Sequence, residues 1–122
     1  MNDSGVLIFS TDPLAAALLG AAVELAGFVV HFPHAGESPR DALMRTRPTV
    51  ALVDCDHEEA CTESFFGPAM MAGATIGIFS SKHSRRTLEP IAAQFGVRTF
   101  GLPIDFDELS SILAAAAAKR TT

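Results

Sequence analysis

The chain has 122 residues, 48% of them hydrophobic, with nine Phe, no Trp or Tyr, and a formal net charge of −5. That length suits a single domain over residues 1–122, the apolar fraction excludes a disordered chain, and the acidic balance argues against a nucleic-acid-binding surface. Two cysteines, Cys55 and Cys61, are too few for a disulfide scaffold, so reduced thiols in a cytoplasmic protein are expected.

In chain order, the apolar run Val6–Phe9 predicts a strand covered on both faces, and Asp12-Pro13 predicts a helix cap. Leu14, Leu18, Ala21, Ala22 and Leu25 recur at helical spacing and predict that helix's packed face, with Gly27 as its stop. Phe28–Phe32 reads as a second strand. Ser38 caps a second helix that stops before Pro48, and Thr49–Asp54 is a third strand ending in acid. Residues 57–74 are expected to hold at most a short helix interrupted at Gly67-Pro68. Thr75–Ser81 gives a fourth strand. Leu88, Ile91, Ala92 and Phe95 mark a helix whose start near Thr87 would put Pro90 in the first turn. A fifth strand spans residues 97–102, and Asp105 with Glu108 forms a capping box for a last helix through Leu109, Ile112, Leu113 and Ala116.

Strands alternating with helices predict a doubly wound, flavodoxin-like α/β domain: a five-stranded parallel sheet with helices on both faces. Sites in such sheets form outside the C-terminal strand ends. Here those ends carry Ser10, Thr11, Asp12, Asp54, Cys55, Asp56, Ser80, Ser81 and Leu102-Pro103. No segment reads as a secretion signal at Met1–Ser4 or as a membrane span, since Leu14–Val30 is short and contains Glu24. The basic stretches Ser81–Arg86 and Lys119-Arg120 read as solvated helix ends.

The order of elements, and above all Glu24–Asp54 with its helix, Gly, strand, polar loop, helix, Arg-Pro and apolar strand ending in Asp, resembles the receiver domain of bacterial response regulators. The resemblance covers essentially the whole chain. It implies that Asp54 stands at the phospho-acceptor position and Ser80 at the switch hydroxyl. It places Ser10 and Thr11 where the family has two acids that help hold Mg²⁺, and Leu102 where it has a lysine before proline. Phe100 falls at the switch aromatic or one place beyond it.

Mg²⁺ prefers carboxylate oxygens and neutralises charge on a transferring phosphoryl group, and the lysine is a second positive partner. Losing both predicts an atypical receiver, or pseudo-receiver, with weak or no Mg-dependent phosphorylation and no enzymatic activity. No cofactor or metal is expected; Mg²⁺ belongs only to the alternative, a phospho-acceptor receiver in a phosphorelay, where Asp54, Asp12 and Asp56 would be the available ligands. Asp12 is expected to serve as the helix cap, and Asp56 to add auxiliary negative charge.

The implied partners are proteins (a histidine kinase, an effector or another receiver), including a second copy through the face of the fourth helix, fifth strand and fifth helix. Glu89, Arg85, Arg86 and Asp107 would form the polar rim of that face. The sequence carries no effector domain, and residues 119–122 read as the start of a linker. Cys55, His57 and Cys61 match no zinc spacing, nor a C-x-x-C redox motif, and His31 and His34 lack a carboxylate partner by spacing. No glycine-rich phosphate loop follows the first strand.

Overall fold

The computed structural model describes residues 5–121, with side chains described to residue 119. The reading of Met1–Ser4 and that of the Arg120 side chain lie outside what is described, and the last helix runs through Thr121, so residues 119–121 continue it instead of starting a linker.

Five strands and five helices alternate: β1 (Gly5–Phe9), α1 (Pro13–Leu25), β2 (Val29–His31), α2 (Pro39–Thr46), β3 (Val50–Asp54), α3 (Glu63–Met71), β4 (Thr75–Phe79), α4 (Arg85–Phe95), β5 (Arg98–Thr99) and α5 (Phe106–Thr121). The strands form one parallel sheet in the order β2-β1-β3-β4-β5. The chain passes from the edge strand β2 over β1 to the central strand β3, so the winding direction reverses there and the crevice opens at the ends of β1 and β3.

Alternation along the strands divides the core into two layers. Val6, Ile8, Val50 and Leu52 face Leu19 and Val23 of α1 and Leu109, Ile112 and Leu113 of α5. Leu7, Phe9, Ala51 and Val53 face Ala42 and Leu43 of α2, Phe65 and Phe66 of α3, and Leu88 and Ala92 of α4. The two-sided cover explains why these strands are uninterrupted apolar runs.

Asp12 caps α1 by accepting from the Leu14 N–H (3.0 Å), and Ser38 caps α2 by accepting from the Asp41 N–H (3.1 Å), both as the sequence predicts. The packed face of α1 is not as predicted. Leu14, Leu18 and Leu25 are 66%, 59% and 79% exposed, whereas Ala15, Leu19, Gly20 and Val23 are buried. The helix is apolar around most of its girth, so spacing alone could not select the face that meets the sheet.

Three further boundaries differ from expectation. α3 runs unbroken through Gly67 and Pro68, because burial of Phe65, Phe66 and Ala69 against the sheet outweighs one missing backbone donor. α4 begins at Arg85 under a Ser84 cap, which places Pro90 in the second turn instead of the first. β5 is only two residues long, since Phe100 turns into the core after one more bond, from its N–H to the Ile78 carbonyl (3.0 Å). Gly77 makes room there: a Cβ on it would stand 3.2 Å from Leu52 and 3.3 Å from Phe100. Phe100 is fully buried, stacked on Phe79 at 5.2 Å.

The capping box of α5 forms by half. Asp105 accepts from the Asp107 N–H (2.8 Å), but the Glu108 carboxylate turns instead to Arg85 Nη2 (2.9 Å) and ties α5 to α4.

At the other edge, Arg45 of α2 grips Glu37 with Nε and Nη2 (2.8 and 2.9 Å) and reaches the Phe32 carbonyl (3.0 Å). The Arg45 hydrogen bonds, followed by the His34 N–H, lower the Glu37 carboxyl from its ordinary 4.5 to about 2. A depressed carboxyl contributes stability that is present above its ordinary value and lost as pH falls toward the folded one. We expect an NMR titration to place the Glu37 midpoint near 2 and Arg45→Gln to return it to the ordinary carboxylate range. A wild-type midpoint above 4 would contradict the grip.

Candidate functional site

The C-terminal ends of β1, β3 and β4 bring Ser10–Asp12, Asp54–Asp56 and Ser80 together, as their order in the sheet requires. Asp54 is fully buried, and its carboxylate is already occupied. Oδ2 accepts from the Thr11 N–H (3.1 Å) and the Thr11 hydroxyl (2.8 Å), and Oδ1 accepts from the Asp56 N–H (2.9 Å). A carboxylate has about four acceptor sites, so three are filled from within the fold. The Ser10 hydroxyl does not reach Asp54; it donates to the Asp12 carbonyl (3.0 Å) and accepts from the Asp12 N–H (3.2 Å).

Ser80 is equally committed. Its hydroxyl donates to Asp56 Oδ2 (2.8 Å) and accepts from the backbone N–H groups of Lys82 (3.0 Å) and His83 (2.9 Å). One donor and two acceptors exhaust a serine hydroxyl. His83 Nδ1 stands 3.5 Å from Asp56 Oδ1 and 3.4 Å from Ser80 Oγ. Burial works against the charged form of Asp56, but the Ser80 hydrogen bond, the Asp54 carboxyl and the charges of His83 and Lys82 outweigh it and lower its pKa.

Asp56 is thus the hub of the site, where the sequence suggested only auxiliary charge. His83 and Lys82 were missed as site residues because they read as part of a solvated basic stretch. The available signal was a histidine three residues beyond a strand-ending serine.

Leu102 precedes Pro103 through a cis peptide bond, and its side chain lines an apolar groove of about 450 Å³ with Leu14, Leu18 and Ile104, bounded by Asp12 and Ser81. Cys55 and Cys61 are joined as a disulfide, which corrects the expectation of reduced thiols. The helical turns after β3 fold the loop back and bring their Cα atoms to 5.0 Å. His57 Nδ1 accepts from the Ala60 N–H (3.3 Å) and its ring meets the Phe9 ring edge-on. Among the described residues, no three His, Cys, Asp or Glu side chains converge as a metal-ligand set.

No protein-family model matches the sequence, and no curated protein does either. Solved structures do match. A response regulator receiver domain protein from Clostridium thermocellum is similar over 97% of both chains, at 13% identity and a TM-score of 0.73. The receiver fold is the fold of this chain. The signal receiver domain of a modulated diguanylate cyclase from Desulfovibrio desulfuricans G20 is 25% identical over 96% of both chains (TM-score 0.72). That of a DNA-binding response regulator from Colwellia psychrerythraea 34H is 19% identical over 95% of this chain and 99% of its own (TM-score 0.73).

Against that receiver fold, the present donors do not fit Mg²⁺, which prefers anionic oxygens in an octahedral shell and keeps several waters. Positions 10 and 11 supply hydroxyls, Asp12 caps α1 through Oδ1, Asp56 accepts from Ser80 through Oδ2, and Asp54 is buried with three of its four acceptor sites filled. No helix among the described residues is long and apolar enough to cross a membrane.

Proposed function

We propose that this chain is an atypical receiver domain: a signalling module of the two-component type that acts in the cytoplasm through protein–protein contact, has no reaction of its own and needs no metal. The observation that carries the reading is the occupancy of Asp54, whose carboxylate is buried and held by Thr11 and the Asp56 backbone where a receiver's chemistry needs an open nucleophile beside a metal. Leu102 removes the cation that would steady a transferred phosphoryl group. The receiver domain of the D. desulfuricans diguanylate cyclase supports placing such a module in signalling. The exposed leucines of α1 support contact with a protein partner, since a contiguous exposed apolar surface is characteristic of an interaction site.

A second reading keeps Asp54 as a phospho-acceptor. It is favoured by the placement of Asp54 and Ser80 at adjacent strand ends. It would require Thr11 to release Asp54 and Ser80 to release Asp56. Incubation with a small acyl-phosphate donor and Mg²⁺, followed by intact-mass measurement, separates the two. We expect no phosphoryl adduct. An adduct that maps to Asp54 and disappears in Asp54→Asn would establish the second reading.

A further inference from the structure

We infer that Cys55 and Cys61 are a reversible oxidation site whose state sets the geometry of the loop carrying Asp56. The bond spans residues 55–61, and a ring this short constrains the unfolded chain less than a long loop would. Its position is more informative. Cys55 lies between Asp54 and Asp56, and its N–H donates to the Phe79 carbonyl at the end of β4 (2.7 Å). Closing or opening the loop therefore acts at the point where β3 meets β4, one residue from the carboxylate that holds Ser80 and faces His83.

Two further observations favour reversibility. Both cysteines are only partly buried, at the edge of the apolar layer, so a small thiol can reach them. The loop also has its own backbone bonds, from His57 N–H to the Asp54 carbonyl (2.9 Å) and from Cys61 N–H to the His57 carbonyl (3.0 Å). These keep the sulfurs near each other without the covalent bond, so reclosure needs little rearrangement. In a reducing compartment, a disulfide is usually transient and sensing instead of structural.

The oxidant is a low-molecular-weight disulfide such as glutathione disulfide. One protein thiolate attacks it and expels one glutathione thiolate; the second thiolate attacks the protein-side sulfur of the mixed disulfide and expels the other. Two protein thiols lose two electrons and two protons, and glutathione disulfide becomes two glutathiones. This inference goes beyond the proposed function and does not depend on whether Asp54 accepts a phosphoryl group.

The test holds the protein in glutathione buffers of varied oxidised-to-reduced ratio, without Mg²⁺ or a phosphoryl donor. Alkylatable thiols are counted by mass, and amide NMR shifts are followed. The expected result is loss of both thiols at high glutathione disulfide and their return on reduction. The Asp56, Lys82 and His83 amides should shift in step with the thiol count. The double variant Cys55→Ser with Cys61→Ser should hold the reduced spectrum at every ratio, and the reduced wild type covers the case where that variant folds poorly. Thiols that stay alkylatable, glutathione adducts in place of the internal bond, or a bond that forms while residues 82 and 83 stay unmoved would each overturn the inference.

Discussion

Leu19→Ala is expected to cost about 2–5 kcal/mol in urea or thermal unfolding, because it empties a site in the layer between the sheet, α1 and α5. Leu18→Ala, one residue away, is expected to change stability by less than about 0.5 kcal/mol. Leu19 is 1% exposed and packs in the cluster with Val6, Ile8, Leu109 and Leu113, whereas Leu18 is 59% exposed. The contrast tests which face of α1 is buried, and with it whether the Leu14–Leu18–Leu25 stripe is free to meet a partner. Equal losses for the two variants would mean that the outward stripe is covered by something other than solvent.

That helix also marks how far the sequence could be read. The succession of strands and helices along the chain and the caps at Asp12 and Ser38 were legible because each rests on a local signal: an apolar run of strand length, or a capping side chain before proline. The buried face of α1 was not, since leucines and alanines fall on both candidate stripes and an apolar residue at i, i+4 fits either. α3 was obscured by Gly67-Pro68, whose local cost is overridden by Phe65 and Phe66 packing on the sheet. At the site, Leu102 lies in the loop beyond β5, which stops at Thr99, whereas Asp54, Ser80, Ser10 and Thr11 were legible as positions at or just past strand ends. The partners they choose were not. Asp56 binding Ser80 across 24 residues, His83 facing both, and Cys55 meeting Cys61 all depend on loop paths that no periodicity encodes.

The second large effect concerns the lost acids. Under the proposed function, Ser10→Asp with Thr11→Asp is expected to give the domain divalent-cation binding beyond any the wild type shows. An aspartate at 10 can keep the turn by accepting from the Asp12 N–H, as Ser10 does. Replacing Thr11 removes the hydroxyl donor on Asp54 Oδ2 and adds a carboxylate at an exposed position, where its desolvation cost is small. Without metal, the added charges beside Asp54 repel it and the variant should be less stable than the wild type. Millimolar Mg²⁺ should then raise the variant's Tm, as expected for an ion that binds only the folded state, while the wild-type Tm follows ionic strength alone. A Tm response to Mg²⁺ of the same size in both proteins would show that the hydroxyls at 10 and 11 had never removed the site.

The most direct test of the account follows amide shifts of the wild type during titration with Mg²⁺ and then with beryllofluoride, with the double-aspartate variant alongside. The account predicts no saturable shifts in the wild type at residues 10–12, 54–56 and 80–83 at millimolar Mg²⁺, and none on adding the phosphoryl mimic. The variant should respond to Mg²⁺. Saturable wild-type shifts at those residues that deepen with beryllofluoride would contradict it, and would make Asp54 a working phospho-acceptor that Thr11 guards and releases.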